Sequence, residues 1–196
     1  MNVSASDAIR WNERYEASVE PAFERPRDFL IEQAHHLPAH GLALDVATGL
    51  GGNAGCLMER GLRVIGLDVS EVGVRRAKDH WPALMGAVVD LTRYQFPAAT
   101  FDVILNFYYL QRDLWPQYRR LLRPGGVLIF ETMTRETLIY RPGLDPDNLL
   151  APDELRCAFA DWEILVYREG PRRTDRESRR VVASMVARAV TLGVSS

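Results

Sequence analysis

Two carboxylates and a run of glycines stand at the spacing that holds a nucleotide. Leu44-Asp45-Val46 closes a short apolar run on an acid, and Ala47-Thr48-Gly49-Leu50-Gly51-Gly52-Asn53-Ala54 follows as a glycine turn that opens a helix. A second apolar run, Val64-Ile65-Gly66-Leu67, ends on Asp68. Gly49 and Gly51 lack a Cβ, so the chain can turn sharply off the strand and let a ligand approach bare backbone. The helix that begins near Gly52-Asn53 points its free N–H groups into the same crevice. Asp68 lies about 20 residues beyond the first glycine, one strand–helix–strand unit, where a carboxylate accepts both hydroxyls of a ribose.

Asp45 indicates which nucleotide. Gly49-x-Gly51-x-x-Ala54 also satisfies a dinucleotide-binding fingerprint, so a nicotinamide-dependent oxidoreductase with Asp68 on a ribose is a rival. A carboxylate at the mouth of the loop repels a pyrophosphate, however, whereas a ligand carrying an ammonium and a sulfonium gains from it. The acid therefore favours S-adenosylmethionine. Asp45 as a helix cap or a loop-backbone acceptor is the plainer alternative.

These residues need strands and helices to place them, and the chain alternates accordingly. Helices are expected over 7–19, 26–36, 53–60, from a Ser70 cap onward, and over 113–122. Strands are expected at 42–46, 63–67, 87–89 ending in Asp90, 101–105 and 127–130. Short apolar strands separated by helices fit a parallel sheet covered on both faces. Near the end, 162–167 and 181–189 flank a charged loop with no room for a helix, so they should pair as an antiparallel hairpin.

Composition sets the outer bounds. The 196 residues are 47% hydrophobic and 26% charged, as in an ordinary globular domain, and are expected to form a single domain. A net charge of −2 offers no global attraction for nucleic acid. Cys56 and Cys157 match no metal or disulfide framework, and His35, His36, His40 and His80 have no partner at ligand spacing, so no metal is expected. No apolar leader or membrane-length run occurs, which suggests a cytoplasmic protein.

Further groups fall at the carboxyl edge of the expected sheet. Asn106, Phe107, Tyr108 and Tyr109 follow the fourth strand, and Glu131, Thr132 and Thr134 follow the fifth. Asn106-x-x-Tyr109 invites comparison with the Asn-Pro-Pro-Tyr box of amino-methylating nucleic-acid enzymes, but Phe107 and Tyr108 replace the prolines that make its turn. Glu131 reads as a base or substrate ligand, or as a hydrogen-bonded structural acid. Trp11 and Tyr15, at i and i+4, share a helix face that either lids the crevice or packs on the core. The charged run 172–180 reads as a solvated hairpin loop or as a clamp for an anionic substrate.

Taken in order, Trp11-Asn12-Glu13-Arg14-Tyr15, the 44–54 segment, Gly66-Leu67-Asp68-Val69-Ser70, Val89-Asp90-Leu91, Phe101-Asp102, Leu122-Arg123-Pro124-Gly125-Gly126, Phe130-Glu131-Thr132 and the 148–155 segment resemble class I S-adenosylmethionine-dependent methyltransferases. The likeness is greatest to their small tellurite-resistance-type branch. Ala47 is usual in that branch, whereas Gly52 replaces an arginine often found there. The resemblance implies a Rossmann-like, doubly wound α/β fold. Its seven-stranded sheet would be mostly parallel with a C-terminal antiparallel hairpin, and residues 1–40 would form a possible lid. It implies Asp45 near the methionine amine and Ala47, Thr48, Gly49, Gly51 and Asn53 in the cofactor loop. Asp68 would bind the ribose, Val69 would lie against adenine, and Asp90 and Leu91 would meet the adenine edge. Asn106, Trp11 and Tyr15 would complete the cofactor site. The expected reaction is methyl transfer to a small-molecule acceptor through sulfur, selenium, tellurium, oxygen or nitrogen. No catalytic residue is assigned, and a non-catalytic cofactor-binding module is the remaining alternative.

Overall fold

The computed structural model describes residues 5–17, 24–96, 100–173 and 179–190. Helices α1 (Ala5–Ala17) and α2 (Asp28–Glu32) precede an alternating series: β1 (Gly41–Val46), α3 (Gly52–Glu59), β2 (Leu62–Asp68), α4 (Glu71–His80) and β3 (Met85–Val88). The series continues with β4 (Phe101–Phe107), α5 (Trp115–Leu121), β5 (Leu122–Met133), α6 (Glu154–Ala158), β6 (Glu163–Arg173) and β7 (Arg179–Arg188). All seven strands form one sheet in the order β3-β2-β1-β4-β5-β7-β6. Strands β1 to β5 run parallel, and β7 is antiparallel to both β5 and β6. The fold is therefore the α/β, Rossmann-like architecture with its terminal hairpin inserted beside β5.

Strand geometry explains how an apolar run serves two faces at once, because successive side chains point to opposite sides. Leu44, Val46, Ile104, Leu128 and Phe130 enter one core with Tyr118, Leu121, Leu155 and Phe159 from α5, α6 and its end. Ala43, Val103, Leu105, Val127 and Ile129 enter the other with Phe29, Leu30, Ala54, Leu57 and Ala77 from α2, α3 and α4. Burial on both faces is why these strands carry no polar alternation.

Several expected bounds move. The helix expected over 26–36 is a five-residue α2 followed by a 3-10 turn at Ala34–His36. Pro38 disfavours helical backbone at the preceding residue, and Leu37 is extended at φ −75° and ψ 142°. The third strand sits at Met85–Val88 rather than 87–89; it is a sheet edge with most side chains exposed, so hydrophobicity marks it poorly. Strand β5 begins at Leu122, running through Pro124-Gly125-Gly126 where a turn was expected. Gly125, at φ 79°, donates its N–H to Ala189 at 2.9 Å, which stitches that segment to the end of β7. The helix expected over 7–19 spans Ala5–Ala17, its last two residues lying outside the described ones. The middle of the charged hairpin run, 174–178, also lies outside them.

Candidate functional site

Strand order places β1 between β2 and β4, so the chain leaves β1 toward one side of the sheet and later returns on the other. A crevice opens beyond the carboxyl ends of strands at such a switch point. Asp45 lies one residue from the end of β1, Asp68 ends β2, and Asn106 is aligned with Val46 in β4. Their side chains are all buried, at 1%, 4% and 0% exposure.

The glycine loop is built onto these acids. Thr48 donates its backbone N–H to Leu67 O at 3.0 Å and its hydroxyl to Asp45 Oδ2 at 2.7 Å. Gly49 N donates to Asp68 Oδ2 at 2.8 Å, and Ser70 N donates to Asp68 Oδ1 at 2.9 Å. Gly49 and Gly51 take left-handed backbone (φ 56° and 80°), which Ala47 adopts as well at φ 55°. For alanine that conformation is uncommon and strained, and such strain collects at ligand-binding turns. Val69 is half-buried beside Asp68.

Burial raises the Asp45 carboxyl to about 7, with the Thr48 hydroxyl and the Ala54 backbone pulling the other way. Burial also pushes Asp68 up, opposed by the N–H groups of Ser70, Gly49 and Val69. Between its ordinary value near 4 and about 7, folded Asp45 keeps a proton that the unfolded chain has lost, so stability falls as pH rises through that window. The drop from this one group is on the order of 4 kcal/mol. Urea titrations at pH 5 and pH 7.5 should show a decline that Asp45→Asn flattens.

Asp90 caps its own turn, its Oδ1 accepting Thr92 N at 3.0 Å and the Thr92 hydroxyl at 2.6 Å, which leaves Oδ2 for another donor. The Leu91 side chain enters the core, so only its backbone is left to face the crevice. Asn106 donates through Nδ2 to the Tyr118 hydroxyl at 2.7 Å. Its Oδ1 is buried without a partner, as is the Tyr109 hydroxyl. Burial, followed by the negative charges of Asp90, Asp68 and Asp7, pushes that phenol well up. A buried polar atom without a partner is costly, and two beside an acidic crevice are what a ligand's own donors and acceptors would relieve.

Helix α1 closes over this loop. Trp11 and Tyr15 stack with ring centroids 5.4 Å apart, and a Cβ added to Gly49 would come within 2.8 Å of the Tyr15 hydroxyl. Asn12 Oδ1 accepts the Ser70 hydroxyl at 2.6 Å and Val72 N at 3.2 Å, pinning α1 to the start of α4. No local pattern links Asn12 to Ser70, because 58 residues separate them.

Asn53 also anchors a distant segment, its Oδ1 accepting the backbone N–H of Arg27 at 2.9 Å. The neighbouring Gly52 admits that segment, since a Cβ there would meet Arg25 O at 2.6 Å and Glu24 C at 2.8 Å. Those are backbone atoms and cannot swing aside. Gly52→Ala should therefore cost about 1–3 kcal/mol and lower the melting temperature by roughly 3–10 °C, as read by thermal unfolding.

Glu131 accepts a hydrogen bond on each carboxylate oxygen. It is 1% exposed and accepts the Tyr108 hydroxyl at 3.1 Å and the Ser184 hydroxyl at 2.7 Å, with Arg172 Nε 3.6 Å away. A carboxylate so enclosed is poorly placed to take a proton from an acceptor. Asp102, from another motif, sits at the opposite end of the sheet and accepts Leu42 N at 2.7 Å and Arg123 at 2.9 Å.

An acid near the end of β1, a left-handed glycine loop, an acid at the end of β2 and an asparagine in β4 with an unpartnered Oδ1 lie at the carboxyl ends of adjacent strands. Residues 43–126, which carry all four, match the family profile described as "Methyltransferase domain". The chain carries a class I S-adenosylmethionine-dependent methyltransferase domain. A Mycolicibacterium smegmatis protein named as a probable S-adenosylmethionine-dependent methyltransferase is 31% identical over 141 residues, covering 68% of this chain and 54% of that one. A Micromonospora griseorubida protein named as a putative 23S rRNA (guanine-N(1)-)-methyltransferase is 33% identical over 159 residues, covering 79% and 52%. The chain thus spans about half the length of these relatives. The solved structure of TehB from Haemophilus influenzae superposes with a TM-score of 0.69 at 17% identity, over 92% of this chain and 66% of that one, which speaks to fold alone. The cofactor of this methyltransferase domain is S-adenosylmethionine, and the residues present fit it: two buried carboxylates, bare backbone at the loop, and an unpaired Asn106 Oδ1 and Tyr109 hydroxyl.

Proposed function

We propose that this methyltransferase domain moves the methyl group of S-adenosylmethionine to a small-molecule acceptor at a sulfur, selenium, tellurium, oxygen or nitrogen atom. The observation that carries the reading is the buried pair Asp45 and Asp68, held 1% and 4% exposed around the Gly49 loop, because negative charge there suits a cationic donor. Bound in the crevice, the donor supplies an electrophilic methyl on a sulfonium. Asp68 holds the ribose hydroxyls with Val69 against the base, while Asp90 and the Leu91 backbone meet the adenine edge. Asp45 faces the ammonium, with Ala47, Thr48, Gly49, Gly51 and Asn53 forming the loop around it. Asn106 and Tyr109 face the nucleoside, and Trp11 and Tyr15 on α1 close over it. An ammonium beside Asp45 favours its ionised form, so donor affinity should tighten as pH rises toward 7.

Transfer at carbon needs orientation more than proton movement, since the leaving thioether is neutral. With Glu131 enclosed by its partners, the chain contributes by positioning the acceptor and excluding water. A small acceptor is favoured over ribosomal RNA, despite the rRNA-methylating name of one relative. The net charge is −2, and Phe107 and Tyr108 replace the prolines that would turn an acceptor amine toward the donor. We place the activity in the cytoplasm, in a single domain with α1 as the lid. No helix among the described residues is long and apolar enough to cross a membrane.

The test is transfer of tritium from methyl-labelled S-adenosylmethionine to thiols, phenols, amines, carboxylic acids, tellurite and selenite, with 23S rRNA in parallel. Label in a small molecule supports the reading. Label in rRNA alone, or in nothing while the donor binds, replaces it with an RNA enzyme or a non-catalytic module.

A further inference from the structure

Two guanidinium groups converge on one strained tyrosine beside the donor crevice. Tyr108 follows β4 with φ 57°, a left-handed conformation that a bulky side chain rarely adopts. Arg27 lies over its ring at 4.7 Å from the centroid, and Arg180 at 5.6 Å. Arg27 comes from the turn before α2 and is fixed to the glycine-loop helix through Asn53. Arg180 comes from β7, directly opposite Arg172 on β6.

Their neighbours are already matched. Arg168 pairs with Glu32 at 2.7 Å, and Arg172 lies between Glu32 at 3.5 Å and Glu131 at 3.6 Å. Glu131 is further occupied by Tyr108 and Ser184. Among the described residues, neither Arg27 nor Arg180 is in an ion pair, and Arg180 Nε is buried without any hydrogen-bond partner. Two cations on one ring, neither in an ion pair among the described residues, would each gain charge-assisted hydrogen bonds from a planar anion that reached both. Arg27 also lies in the field of Asp45 and Tyr15, which places this positive region alongside the donor's acids.

We propose that Arg27 and Arg180, with Tyr108 as their platform, form a carboxylate-binding site, and that the methyl acceptor carries that carboxylate. The assignment to the acceptor rests on the methyl-transfer reading above; the anion site itself does not. Arg180 and Tyr108 belong to the end of the sheet formed by β4, β5 and β7, away from the β2 acid assigned to the ribose, which favours the acceptor over the donor's own carboxylate.

The experiment titrates benzoate and succinate, each against its neutral amide, into the full chain saturated with S-adenosylhomocysteine and again without it. Arg27→Gln and Arg180→Gln are compared with Arg168→Gln, which removes the same charge from a paired position. S-adenosylhomocysteine and 5′-methylthioadenosine, which lacks the amino-acid carboxylate, are titrated into every variant, and circular dichroism checks that each is folded. The carboxylates should bind and the amides should not. Arg27→Gln and Arg180→Gln should each weaken carboxylate binding about tenfold or more, with Arg168→Gln within about twofold of the parent. Absent carboxylate binding, or equal binding in all variants, would overturn the site. Weakening of S-adenosylhomocysteine alone, with 5′-methylthioadenosine unchanged, would give the cations to the donor and overturn the acceptor assignment. Failure of S-adenosylhomocysteine to bind the parent chain would instead defeat the methyl-transfer reading, while the titrations without it still report on the anion site.

Discussion

Replacing Asp68 with alanine should raise the dissociation constant for S-adenosylhomocysteine by two orders of magnitude or more. Each ribose hydroxyl held by an ionised carboxylate contributes about 1.5–3 kcal/mol. Losing two such bonds therefore corresponds to roughly a hundred- to ten-thousand-fold change. The substitution also removes the acceptor for Gly49 N and Ser70 N, both buried and bonded at 2.8 and 2.9 Å. The loop that shapes the cofactor site then loses its anchor to β2, so binding should fall further than the ribose bonds alone require. Asp68→Asn separates these effects: its amide keeps one oxygen for the loop, and should bind more tightly than alanine while remaining well below the parent. Calorimetric titration of the three proteins, with melting curves alongside, reads the order. Parent-like affinity in Asp68→Ala would remove the ribose role.

The largest loss of stability should come from a residue that touches neither ligand in this account. Glu131→Ala strands the hydroxyls of Tyr108 and Ser184 and leaves Arg172 with a weaker set of partners. Breaking a buried charged network from one side costs about 3–5 kcal/mol, because the remaining polar groups lose solvent and partner together. Glu131→Gln retains an acceptor oxygen and should cost less, about 1–2 kcal/mol. Denaturant titration measures both. If Glu131→Gln instead leaves stability intact and removes turnover, Glu131 is a working acid and its enclosure has been misread.

Much of the candidate site was legible because its parts lie close together along the chain. An acid, a glycine turn and a second acid one strand–helix–strand unit later have little freedom to be anywhere but one crevice, and Gly49 N does meet Asp68. The apolar runs at 101–105 and 127–130 were equally plain, since a strand buried on both faces has no polar positions to confuse it. What escaped depends on long-range approach. Arg27 belongs to no motif, and only the absent side chain of Gly52 lets its segment settle against α3. The Asn12–Ser70 bond and the Glu131–Ser184 bond join residues 58 and 53 positions apart, which no local pattern encodes. Edge strand β3 slipped by two residues because exposure erases the hydrophobic signal that locates a strand. Tyr109 was visible only as an aromatic near a strand end; its significance lies in a hydroxyl that folding buries without a partner.

The most direct measurement is calorimetric titration of the parent chain with S-adenosylhomocysteine and, separately, with NADH. Saturable binding of S-adenosylhomocysteine and none of NADH is expected. Binding of NADH, or of neither ligand, would contradict that expectation.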